Sequence, residues 1–176
     1  MTDPEPPARF TIFSREDAPA LAESGMMHFE PFREAILPVL GEVQEAGVFN
    51  GEDARVLFAM PGFSLVHVWF KPGYPLPLHS HDADCLYYIV AGSIRMGTRD
   101  LGPREGFFVP AGVPYSYTPG PDGVEVLEFR NATSFNFVNH ANGLAFWEKA
   151  LETVRGSQDI WDRAEMPVAS GAAERS

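Results

Sequence analysis

The chain of 176 residues has one cysteine, Cys85, so no internal disulfide framework holds it together. It also lacks a basic excess. Thirteen Lys and Arg residues face 24 Asp and Glu, which leaves a formal net charge of −11. Such a surface repels nucleic-acid phosphates and anionic lipid headgroups, so neither is an expected partner. No stretch approaches the roughly 20 apolar residues a membrane helix needs. The N-terminus, Met1-Thr2-Asp3-Pro4-Glu5-Pro6-Pro7, has neither the basic start nor the apolar run of a signal peptide. The cytoplasm is therefore the expected location. There is no internal repeat.

Hydrophobic residues make up 45% of the chain, enough for one sizeable core, and 16 glycines and 16 prolines are scattered through it. That composition favours short elements joined by tight turns. Residues 1–50 read as an N-terminal arm, with a proline-rich and disordered start over 1–9. In this arm Phe10, Ile12 and Phe13 suit an edge strand, Ser14-Arg15-Glu16-Asp17 suits a helical turn, and Pro31 and Pro38 forbid a long helix. Residues 51–138 carry short β-formers between turn signals. Strands are predicted at 55–60, 63–70, 85–91, 93–96, 107–109, 115–118 and 124–130, the last two separated by Pro119-Gly120-Pro121-Asp122-Gly123. Residues 139–165 turn helical. Leu144, Trp147, Leu151 and Val154 recur at three- and four-residue spacing, Gly156 is the expected stop, and Ile160 and Trp161 suit a last anchored turn. Residues 166–176 read as a flexible tail.

The segment that carries chemistry runs Gly73, five residues, His79-Ser80-His81, three residues, Cys85, six residues, Gly92. In a strand, residues two apart share a face, so two imidazoles project together. Imidazole suits iron, zinc, nickel or copper. The segment resembles the first motif of the cupin superfamily, except that Cys85 stands where that motif has its glutamate ligand. A weaker second motif follows. Pro110-Ala111-Gly112 is in place, with Gly106 close by, but Arg104, Tyr115 and Pro119 replace its glycine, histidine and asparagine. The resemblance covers about residues 55–130. It implies an all-β double-stranded β-helix, an antiparallel jelly-roll barrel, with an N-terminal arm and a C-terminal helix. It also implies a homodimer.

Two of the four usual ligands, His79 and His81, are thus present. Cys85, His67 and Tyr115 are the candidates for a third. A thiolate favours zinc or copper, and a phenolate favours ferric iron. Cysteine dioxygenase-like cupins also place a cysteine at the glutamate position and cross-link it to a tyrosine, but they keep the histidine that Tyr115 replaces. The bland readings are a hydrogen-bonded histidine pair without metal, a buried Cys85, and a satisfied His67. Trp69, Tyr87, Phe108 and Tyr117 are expected to wall the pocket, with Tyr115 orienting or protonating the substrate. Glu125 and Glu128 lie on opposite faces of one strand, so one of them is expected inside. Three functions remain open. The first is a metal-dependent, oxygenase-like enzyme acting on a small, partly apolar molecule. The second is a metal-free small-molecule binder. The third is a metal-free isomerase or epimerase using acid–base chemistry.

Overall fold

Strand alternation organises the barrel, as the segment after the His-x-His shows. There Cys85, Tyr87, Ile89 and Ala91 are buried, while Leu86 and Tyr88 are exposed. The structure is a computed structural model that describes residues 10–167. The disorder expected over residues 1–9 and the end of the tail, 168–176, lie outside the described residues. The elements are β1 (Met27–Phe29), α1 (Leu37–Glu45), β2 (Glu52–Met60), β3 (Phe63–Phe70), β4 (His79–Ser80), β5 (Cys85–Met96), β6 (Arg99–Leu101), β7 (Gly106–Val109), β8 (Thr118–Arg130), β9 (Phe135–Asn139) and α2 (Leu144–Arg163).

One sheet has the order β2-β3-β8-β5-β6, with β7 also pairing β5; the other has the order β1-β9-β4. All pairings are antiparallel except β1 with β9. The mostly β architecture with antiparallel sheets and one long C-terminal helix agrees with the expected jelly-roll barrel. Its large sheet sets the register for the site. Val56, Val66 and Glu128 share one row across β2, β3 and β8; Ala54, Val68 and Val126 the next; Glu52, Phe70 and Val124 the third. These rows face inward. The alternate rows, Arg55–His67–Leu127 and Asp53–Trp69–Glu125, face the other way.

Five expectations about the elements are corrected. Gly92 does not end a strand, and 119–123 is not a loop. β5 and β8 each run straight through, with irregular register between Gly92 and Ile94. Gly92 and Gly123 have φ of 73° and 76°, and a Cβ on Gly92 would lie 2.2 Å from the Gly123 carbonyl oxygen. The two glycines are therefore bulge residues that let two strands touch. Residues 10–13 form no strand, and Phe10 and Ile12 are exposed. Residues 115–118 are not a separate strand: Tyr115 makes an isolated bridge to His79, and Thr118 opens β8. Finally, α2 passes Gly156 at a cost of about 1 kcal/mol, because the next turn is anchored. Trp161 is fully buried, its Nε1 donates to the Pro72 carbonyl (3.0 Å), and Lys71 Nζ donates to its own carbonyl (2.7 Å).

The described part of the arm, residues 10–50, carries regular elements. Its α1 is short, with Pro38 in the first turn where the missing N–H costs nothing. β1 adds to the small sheet beside β9, and α1 packs on α2. Among the described residues no helix is long and apolar enough to cross a membrane.

Candidate functional site

Between the inward rows and the small sheet lies a cavity of about 390 Å³, at the lower end of the usual range for small-molecule sites. The arm closes it: Met27, Phe29 and Phe32 line it together with Val48 and Phe49. β4 holds the histidine pair at one end. His79 pairs with Asn139 of β9 and exchanges backbone hydrogen bonds with Tyr115, His79 N to Tyr115 O (3.1 Å) and back (2.9 Å). The turn at Pro110 braces His81, since Gly112 N donates to the His81 carbonyl (2.7 Å). Alternation sends His79 and His81 inward and Ser80 away, to hydrogen-bond with His140 Nε2 at 2.8 Å.

Both imidazoles are fixed in the same way. His79 Nδ1 is 2.7 Å from the Pro77 carbonyl, and His81 Nδ1 is 2.7 Å from the Asn136 carbonyl. A carbonyl oxygen only accepts, so each Nδ1 carries the proton and each Nε2 keeps its lone pair. The rings lie 5.0 Å apart. Phe137 stacks on His79 at 4.7 Å, and Phe135 meets His81 edge-on at 5.2 Å. Burial lowers both pKa values to about 4; the neighbouring Arg130 guanidinium adds to this at His81. Both rings are neutral at neutral pH.

Beside them is a polar chain. Glu128 and Arg130 project inward from β8, and Arg130 Nη1 is 2.6 Å from Glu128 Oε2. That contact is an ion pair without hydrogen-bond alignment, and Arg130 Nε and Nη1 have no hydrogen-bond partner among the described residues. The guanidinium lies over Phe135, 4.1 Å from the ring centroid. Its Nη2 is 3.4 Å from Tyr87 Oη, and Tyr87 Oη hydrogen-bonds Tyr115 Oη. Arginine only donates, so Tyr87 accepts from it, while the hydrogen bond between the two phenols can run in either direction. With Tyr87 as the donor in that pair, the Tyr115 hydroxyl hydrogen is free to turn toward the cavity. Burial first, then Glu128, holds the Tyr115 phenol well above its ordinary pKa, so it is a neutral hydrogen-bond donor.

The structure brings together His79, His81, Tyr115 and Tyr117 on the cavity wall. Tyr87 stands behind Tyr115, stacked on Phe107 at 4.5 Å. Of the two glutamates considered, Glu128 faces inward and Glu125 outward. Four candidates are corrected. His67 and Trp69 belong to the outward rows. His67 is hydrogen-bonded to Glu125 (2.8 Å) and to Arg15 Nε (3.3 Å), and Trp69 has the Lys71 ammonium over it at 5.3 Å. Phe108 pairs with Leu86 on the outer face and is 58% exposed. Cys85 points inward but sits opposite Arg130, away from the lining. Arg130 and Glu52 were missed. The parity that places Glu128 inside places Arg130 two residues on, and extending β2 back to its true start would have found Glu52.

For the metal that the cupin resemblance implies, these residues supply two donors. Among the described residues no group of three or more His, Cys, Asp or Glu side chains could hold an ion. About three protein ligands make a catalytic site. Cys85 sits opposite Arg130, away from the cavity lining where the two histidines stand. Glu128 is engaged by Arg130, and His67 lies behind the sheet. The donor set does not fit a tightly held metal ion.

No protein-family model and no curated protein matches the chain. Solved structures do. The polyketide cyclase RemF from Streptomyces resistomycificus superposes with a TM-score of 0.57 at 19% identity, over 85% of this chain and 98% of that one. An RmlC-like cupin from Shewanella frigidimarina gives 0.43 at 21%, over 46% of this chain and 76% of that one. KdgF from Halomonas sp. gives 0.41 at 23%, over 46% and 81%. The likeness to RemF is one of fold, and it extends beyond the barrel to most of the chain.

Proposed function

We propose that this chain, a cupin by fold, takes a small, elongated and mostly apolar molecule into its barrel and moves a proton on a carbonyl-bearing part of it. One observation carries the reading. Both Nδ1 atoms are tied to carbonyls, so two neutral Nε2 lone pairs open onto the cavity that Tyr115 also lines. The Tyr115 hydroxyl would donate to the carbonyl oxygen, with Tyr87 and Arg130 behind it. Nε2 of His79, whose ring is 4.4 Å from that of Tyr115, would take the proton from the adjacent carbon. The enolate oxygen gathers its charge against the phenol and the guanidinium. Returning the proton to a different carbon completes an isomerisation, and attack of the carbanion on a second carbonyl completes a cyclisation. The apolar walls exclude water, which strengthens each of these interactions.

The test is exchange of the α-protons of a methyl ketone of eight carbons with heavy water, followed by NMR. Wild type should accelerate it, and H79Q and Y115F should each lose most of the acceleration. Absence of exchange, with the ketone still bound, would replace this reading by a binder without chemistry. The two Nε2 lone pairs are also what a divalent iron, zinc, nickel or copper ion would use. Protein purified without chelator and supplied with each ion separates that reading. A stoichiometric ion lost in H79A would establish it.

A further inference from the structure

The same cavity holds a carboxyl that this chemistry leaves unused. Glu52 opens β2 and lines the cavity. It lies in the row of Phe70 and Val124, whereas Glu128 lies in the row of Val66. Four residues of β3 separate the rows, about 13 Å along the strand. The lining residues between are apolar, Ala54 and Val68. Glu52 is therefore displaced along the sheet from the histidine pair, beyond Ala54 and Val68, with its carboxyl still near enough to Glu128 to feel that charge.

No hydrogen bond or ion pair among the described residues reaches the Glu52 carboxyl. The charged neighbours that act on it are Glu128 and Asp53, both acidic; the Tyr74 phenol is also close enough to feel it. Burial, then those two carboxylates, raises its pKa to about 7. A largely buried carboxyl without a partner costs folding energy and gives none back. Glu128 and Arg130 cancel, and both histidines are neutral. Ionised Glu52 then leaves the lining one negative charge in excess.

We propose that Glu52 recognises a cationic amine at the end of the ligand remote from His79 and His81. The ligand class is an elongated apolar amine with its oxygen function at the other end. The ammonium would supply the missing hydrogen-bond donors and restore neutrality. This rests on the cavity reading above.

The experiment is calorimetric titration of wild type and E52Q with octylamine and, separately, with octanol near pH 8. In wild type the amine should bind about tenfold to a hundredfold tighter than the alcohol. E52Q should bind octanol as wild type does and lose the preference. Equal binding of amine and alcohol by wild type would overturn the inference and leave the cavity reading standing. A preference that survives in E52Q would also overturn it, by putting the amine elsewhere. Binding of neither compound would defeat both readings. Octanol binding is the fold control for E52Q; should that variant misfold, the wild-type ratio decides alone.

Discussion

The hydroxyls of Tyr87 and Tyr115 share a hydrogen bond, and Arg130 Nη2 stands 3.4 Å behind the first of them. A guanidinium has no lone pair to offer, so Tyr87 accepts from Arg130, while the bond between the two phenols can run in either direction. When Tyr87 is the donor, Tyr115 is the member whose hydrogen is free for a ligand.

Removing the middle of the relay should separate positioning from contact. Y87F leaves Tyr115 in place but without its anchor, and strands one more Arg130 N–H. Proton exchange on a bound ketone should fall about tenfold, against a hundredfold or more for Y115F. The ketone's affinity should change little in Y87F. Y87F should also lose about 1–3 kcal/mol of stability in urea unfolding.

Glu52 makes stability depend on pH in a definite direction. Its folded pKa of about 7 lies above the ordinary 4.5, so its contribution is fully present below the ordinary value and is lost as pH rises through the folded one. E52Q removes that loss. The variant should match wild type near pH 4 and exceed it by up to about 3 kcal/mol near pH 8. Urea unfolding across that range checks it; a variant less stable than wild type at the alkaline end would contradict the burial of an unpaired carboxyl.

The histidines act with the opposite sign. Folding lowers both from the ordinary 6.5 to about 4, so their contribution is present above 6.5 and fades as pH falls through the folded value. Wild type should therefore lose stability as pH drops from 6.5 to 4. The H79Q/H81Q double variant should show a shallower acid limb in the same unfolding series.

Cys85 offers a check on what lies outside the site. With its thiol pushed up to about 12 and the residue 1% exposed, it should resist alkylation near pH 8 until the protein is unfolded. C85A should cost about 1 kcal/mol of stability and leave ketone exchange intact. Loss of exchange would return the thiol to the reaction.

Legibility in the sequence followed the range of the physics. Alternation is local, so the long strands of the large sheet, the inward pairing of His79 with His81, and the opposed faces of Glu125 and Glu128 could be read directly, whereas the short strands β1, β6 and β9 were not. The helix at 144–163 was legible from its buried stripe, but its end was not. Gly156 reads as a stop, and only the tertiary anchors of Trp161 carry the helix beyond it. The Pro-Gly stretch at 119–123 reads as a loop for the same reason, since its role as a bulge depends on Gly92 of a distant strand. His67 and Trp69 could not be assigned a face without the register of β2, β3 and β8. Cys85 occupies a ligand's position in the motif, yet the space beside it is filled by Arg130, which no local pattern announces.

The most direct test is nitrogen NMR of histidine-labelled protein near pH 7. The account expects His79 and His81 to be neutral, each protonated at Nδ1 with an unprotonated Nε2, and to stay so down to about pH 5. Imidazolium signals at neutral pH, or the proton on Nε2 of either ring, would contradict it, because no lone pair would then face the cavity.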